Sequence, residues 1–126
     1  MPTKRLYSLF TYHELDVNRM QEASAYLEGE HDFKSFCQVG AQVQSTVRTI
    51  YSAQVLEQGD DLVIRICGNG FLYNMIRIIA GTLMEIGQGK RDPMDMIRIL
   101  EVKERSAAGP TAPPHGLTLI RYEFPG

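Results

Sequence analysis

A chain of 126 residues that is 44% hydrophobic can bury one ordinary core, and is sized for a single domain over residues 1–126. Its formal charge of −2 and pI near 5.9 exclude a uniformly basic nucleic-acid binder. The balance is uneven, however: residues 1–61 carry five Lys/Arg against nine Asp/Glu and residues 62–126 carry eight against six, so the basic excess lies in the second half.

In chain order, Arg5 to His13 alternates like a strand, with aromatic residues on both faces. Asp16 is placed to cap a helix in which Val17, Met20, Ala23 and Leu27 recur at helical spacing until Gly29. His31 to Phe36 reads as a short amphipathic turn. Thr46 to Leu56, with Val47, Thr49, Tyr51, Ala53 and Val55 at period two, and Leu62 to Cys67 read as a hairpin around Asp60 and Asp61. A long apolar helix is entered through Gly68, Asn69 and Gly70 and stops at Gly87 and Gly89. Asp92 and Pro93 open another helix, whose buried face is Met96, Ile97 and Leu100. After a loop of small residues and prolines, Leu117 to Phe124 is a last strand. The order β-α-β-β-α-α-β predicts an α+β fold, an antiparallel sheet with helices packed on one face.

Cys37 and Cys67 form no disulfide framework, and with His13, His31 and His115 they match no zinc spacing, so reduced thiols and no metal are expected. No apolar leader follows Met1 and no apolar run spans a bilayer, which predicts a cytoplasmic protein without membrane contact.

The residue that stands out is Arg77. In the segment 68–90, Leu72, Met75, Ile76, Ile79, Leu83 and Ile86 form one apolar stripe, and Arg77 shares the opposite side with Ile78, Gly81 and Met84. Tyr73, Asn74, Ala80 and Gly81, its neighbours three and four residues away, offer no carboxylate. A guanidinium cannot shed its proton on burial, so it needs a distant acid, a phosphate or another chain's carboxylate, or else snorkels to water.

Other candidates carry bland readings beside functional ones. Gly68-Asn69-Gly70 follows a strand like a phosphate loop but lacks the further glycine and the Gly-Lys-Ser/Thr, so it reads as a turn. His31 and Asp32 are sequence neighbours rather than a positioned pair, and Asp60 and Asp61 are turn residues. Phe33, Phe36, Phe71 and Tyr73 would either stack on bases or fill the core. The loop from Arg105 to Gly116 either presents its backbone to a ligand or acts as a rigid connector.

Taken together, GNGFLYNMIRIIAGTLMEIGQGK at 68–90, AAGPTAPPHGLTL at 107–119, HDFKSF at 31–36 and TVRTI at 46–50 resemble the C-terminal half of the tRNA pseudouridine synthase A family from about Leu15 onward. The resemblance implies half of the pseudouridine synthase fold and a cofactor-free isomerisation of uridines in the tRNA anticodon stem-loop. An aspartate attacks the nucleoside, the glycosidic bond breaks, and the uracil turns and rejoins through carbon. It further implies that Arg77 is the arginine that pairs with the catalytic aspartate across the cleft and that Leu117 lines the base pocket. Phe71, Arg105 and the loop from Thr111 to Gly116 become pocket-side, substrate-binding elements. The family's Arg-Thr-Asp-Gly-Val-His type motif, which holds the nucleophile, is absent from these 126 residues. The chain is therefore expected to be an excised or naturally truncated half with Met1 an added start, inactive alone. Its partners would be tRNA and the N-terminal half of the same enzyme, within a homodimer. The alternative is a stand-alone RNA-binding module without chemistry; a third reading, a small-molecule regulatory domain, would need the Gly68 turn to hold a phosphate. Deprived of its aspartate, Arg77 should meet solvent or an anion, or find a substitute acid in the domain.

Overall fold

The computed structural model describes residues 3–10, 15–38, 45–58, 61–72, 74–112 and 117–123; of the first and last of these segments it gives the backbone. Five strands, β1 (Thr3–Phe10), β2 (Gly29–Asp32), β3 (Val47–Gln58), β4 (Asp61–Gly68) and β5 (Leu117–Glu123), make one sheet in the order β2-β3-β4-β1-β5, with every pairing antiparallel. The helices are α1 (Val17–Ala25), α2 (Met75–Gly87) and α3 (Asp95–Val102). The α+β reading holds.

Helix α1 starts where its cap dictates: the Asp16 carboxylate accepts the Arg19 backbone N–H at 3.2 Å. Its buried side, Met20 and Ala23 with Leu27 just beyond, packs on β3 and α2. One side of α1 also closes the sheet. Strand β2 pairs only with Val47 to Ile50, leaving the outer edge of β3 open further on. There the Gln21 side chain accepts from Val55 N–H (2.6 Å), Glu28 accepts from Ala53 N–H (3.0 Å), and the Ser24 hydroxyl lies 3.4 Å from the Ala53 carbonyl. Side chains thus do for the edge what a sixth strand would do.

Expectations for β2, β3 and α3 need correction. The turn predicted at His31 to Phe36 is a strand end followed by a 3-10 turn, Lys34–Phe36; Gly29, at φ +104°, swings the chain into β2. The period-two face of Thr46 to Leu56 breaks at a bulge between Ile50 and Ser52, which shifts the alternation by one. Ile50, Ala53 and Val55 therefore face the core together while Tyr51 is 55% and Val47 42% exposed. Helix α3 begins at Asp95 rather than at Asp92 and Pro93, and its buried apolar residues are Met96, Ile99 and Leu100, with Ile97 half-buried.

Helix α2 is the most deeply buried of these helices. It begins at Met75, later than the glycines suggest, because Asn74 takes a left-handed conformation (φ 58°) that helix geometry forbids, a region Asn tolerates better than most residues. It ends in a Schellman motif: Lys90 N–H reaches the Glu85 carbonyl and Gly89 N–H that of Ile86, with Gly89 at φ +82°. Between these limits only Arg77, Met84 and Glu85 are even half-exposed, so the helix is covered nearly all round, as its sequence demanded.

Candidate active site

The covering of α2 on the Arg77 side is the small-residue loop. After the 3-10 turn Arg105–Ala107, the chain runs back along α2. Gly109 N–H donates to Thr82 Oγ1 at 2.9 Å, and Ala112 N–H donates to the Arg77 carbonyl at 2.9 Å. Glycine is required on the helix side for this approach: a Cβ on Gly81 would lie 1.7 Å from the Pro110 carbonyl oxygen.

The loop also receives arginines. The Ala112 carbonyl accepts from Arg77 Nε at 3.1 Å and Nη2 at 2.7 Å. The Gly109 carbonyl accepts from Arg105 Nη1 at 2.7 Å, and Arg105 Nη2 lies 3.4 Å from Thr111 Oγ1. The Ala107 carbonyl accepts from Arg91 Nη1 at 3.0 Å. Arg91 is also paired to Glu85 at 2.8 Å and Asp95 at 3.0 Å, so acids are available nearby. Arg98 shares Asp95, and that hydrogen bond, with help from Arg91, holds the Asp95 carboxyl below the usual range against its partial burial.

Arg77 has no such acid among the described residues. Among the described residues no carboxylate meets it, and its partner is a neutral carbonyl. Of the outcomes expected for Arg77, a substitute acid is not found among the described residues: a carbonyl dipole meets it instead, which orients the cation without neutralising it. The geometry of that bond determines what remains. One oxygen takes the Nε side of the guanidinium fork, and the opposite edge, formed by Nη1 and the second N–H of Nη2, is left for a planar anion approaching end-on.

The other candidates separate clearly. Gly68 closes β4, and Asn69 exchanges hydrogen bonds with the Thr49 backbone (3.0 and 2.9 Å), so the glycine segment is a strand-ending turn rather than a phosphate cradle. His31 Nε2 is 2.9 Å from the Glu28 carbonyl, and Asp32 accepts from Lys34 N–H and the Thr46 hydroxyl; they make no dyad. Phe33 and Phe36 are wholly buried, with ring centroids 6.3 Å apart, and belong to the core. Phe71 is half-buried beside the position of Gly68. Thr111 lines a cavity of about 210 Å³ with Gly81, Met84, Glu85, Gln88 and Lys90. Leu117 begins β5 opposite Leu9; its side chain, Gly116, Tyr73 and Asp60 lie outside the described residues. Cys37 and Cys67 are free thiols. Among the described residues no cluster suits a metal and no helix is long and apolar enough to cross a membrane. Thr82, Gly109 and Ala112, which with Gly81 build the Arg77 environment, had escaped sequence reasoning as individuals.

Comparison with known proteins bears on this arrangement. Residues 23–125 match the family model described as tRNA pseudouridine synthase. Among curated relatives, the tRNA pseudouridine synthase A of an Exiguobacterium species is 48% identical over 124 residues, covering 97% of this chain and 50% of the relative. That of Bacillus velezensis is 54% identical over 116 residues (92% and 47%), and that of Bacillus licheniformis 49% identical over 121 (96% and 49%). The chain spans about half the length of the curated relatives it matches.

Proposed function

The chain belongs to the tRNA pseudouridine synthase family, and from that premise we propose that it is the C-terminal half of a cytoplasmic enzyme that isomerises uridine to pseudouridine in the tRNA anticodon stem-loop. The observation that carries this reading is the state of Arg77: a guanidinium steadied on one edge by the Ala112 carbonyl, with no acid partner among the described residues. The missing acid is the nucleophilic aspartate of the N-terminal half. That half, the tRNA and a second copy of the assembled enzyme are the partners.

The chemistry follows from what an arginine can do. It holds a carboxylate ionised, and only the carboxylate form attacks. It gives up no proton at working pH, so Arg77 orients and stabilises rather than acting as an acid. The end-on edge holds the aspartate carboxylate while it attacks the nucleoside and the glycosidic bond breaks; the uracil then turns and is rejoined through C5 as the aspartate leaves as carboxylate, the C5 proton passes to solvent and N1 takes one up. The target base leaves its stack for this, and the unpairing cost is offset by pocket contacts, to which Leu117, Phe71, Arg105, Thr111 and Gly116 contribute.

The test is complementation. Unmodified tRNA incubated with this chain alone yields no pseudouridine, and addition of a separately produced N-terminal half restores turnover. Replacing Arg77 by Gln in the mixture lowers kcat by about 100-fold to 1,000-fold, the scale of one lost electrostatic contact to reacting charge. Pseudouridine made by the chain alone would overturn the reading. A mixture that stays inactive, while the chain alone binds tRNA with steep salt dependence, would favour the module that binds without chemistry.

A further inference from the structure

Arg77 is oriented by a loop, and the loop is oriented one turn further along α2. Two anchors hold it there. At one, Ala112 exchanges its N–H and carbonyl with the Arg77 backbone and guanidinium. At the other, Thr82, wholly buried, gives its hydroxyl proton to the Ile78 carbonyl (2.8 Å) and accepts from Gly109 N–H (2.9 Å). Between them the Pro110 carbonyl rests on the bare Cα of Gly81. We propose that Gly81 and Thr82 are positioning residues for the Arg77 guanidinium, acting on it through the Gly109 to Ala112 loop. The inference rests on the reading of Arg77 given above.

Distances decide the argument. A Cβ on Gly81 would stand 1.7 Å from the Pro110 oxygen, 2.8 Å from its carbonyl carbon and 3.3 Å from Ala112 N. All three are backbone atoms of a segment that proline stiffens, so the loop itself must move. The approach is close from both sides, since a Cβ on Gly109 would lie 2.9 Å from Thr82 Cα. A shift large enough to relieve the Gly81 clash, about 1.5 Å, carries the Ala112 oxygen with it and so turns the guanidinium; displacement of about 1 Å is enough to cost a site about 100-fold. Thr82 acts by hydrogen bonding instead. With its proton committed to Ile78, the hydroxyl oxygen must accept, and Gly109 N–H is the donor. Valine fills the same space and leaves that N–H facing a methyl group; serine keeps the bond.

Helix α2 contains its own control. A Cβ on Gly87 would also be tight, 2.7 Å from the Met20 sulfur, 3.0 Å from its Cγ and 3.3 Å from Leu15 Cβ, but these are side-chain atoms rather than backbone of the loop. The experiment reads the Arg77 Nε–H by ¹H–¹⁵N spectroscopy and proton exchange in the full chain, with amide spectra reporting folding. In wild type the Ala112 carbonyl protects it. Thr82→Val and Gly81→Ala should accelerate its exchange by roughly tenfold or more, while Thr82→Ser and Gly87→Ala stay within about twofold. Should Gly81→Ala fail to fold, the Thr82 pair decides. A folded Thr82→Val chain with unchanged Arg77 Nε–H overturns the proposal, as does loss of protection in Thr82→Ser equal to that in Thr82→Val. In the complemented enzyme the same variants should lower kcat with KM little changed. If the guanidinium is freed and kcat does not move, positioning stands and the catalytic reading of Arg77 fails.

Discussion

Replacing Arg77 by Met separates what the arginine does for this chain from what it does for a reaction. Methionine keeps most of the aliphatic stem but removes the donors at 3.1 and 2.7 Å from the Ala112 oxygen. Ala112 is 1% exposed, so water replaces them poorly. A hydrogen bond from a charged group contributes about 1.5–3 kcal/mol, and a stranded buried acceptor costs about 1–3 kcal/mol. These overlap rather than add, because both describe one oxygen. The half-exposed guanidinium also recovers hydration on unfolding, so the lower end applies: Arg77→Met should destabilise the chain by about 1.5 kcal/mol. With a urea m-value of about 1–3 kcal/mol per molar, the midpoint falls by about 0.5–1.5 M with m unchanged. Equilibrium urea unfolding followed by circular dichroism makes the measurement. A midpoint that stays or rises would show that the carbonyl is no real partner and that Arg77 is simply an unpaired cation relieved by its removal. The account of an oriented guanidinium would then fail at its first step.

Two further outcomes are expected. Replacing Gln21 and Glu28 together by Leu removes the acceptors for Val55 and Ala53 N–H, which should cost about 2 kcal/mol and make the chain associate with rising concentration, seen by light scattering; a monomer of unchanged stability would contradict the edge-closing role. For Asp95, whose carboxyl is lowered by Arg98 and Arg91, the stabilisation is complete above the unfolded pKa near 4 and is lost as pH falls through the lower folded value. Asp95→Asn should therefore lower stability at pH 7, by about 1 kcal/mol or less given the exposure of Arg98, and make progressively less difference as pH falls below the unfolded value. A difference that grows on acidification would refute the assignment.

What was legible in the sequence was whatever has local causes. The Asp16 cap, the β3-β4 hairpin, the glycine stop of α2 and its all-round covering follow from residues within a few positions of each other. Strand β2 was missed because Gly29-Glu30-His31-Asp32 has no apolar alternation; it is a strand only through its pairing with β3. The start of α2 was misplaced because Leu72 fits the helical stripe although the left-handed Asn74 stands between it and the helix. The partner of Arg77 was legible as a need but not as an identity. It is a backbone carbonyl 35 residues away, a group that every residue carries, so no side chain announced it. Gly81 gave a faint signal, as a glycine inside a strong helix.

Under the proposed function, the carbonyl grip on Arg77 also bears on how the two halves of the enzyme would meet. A free arginine side chain holds about 2 kcal/mol of rotamer freedom, most of it lost when a carboxylate clamps it. Here that loss occurs during folding, when Ala112 seats against α2, before any partner arrives. On the proposed function, an incoming aspartate would meet a cation already aimed. The entropic cost of that association would be correspondingly smaller, and the fidelity of the encounter set by the stability of one domain's core.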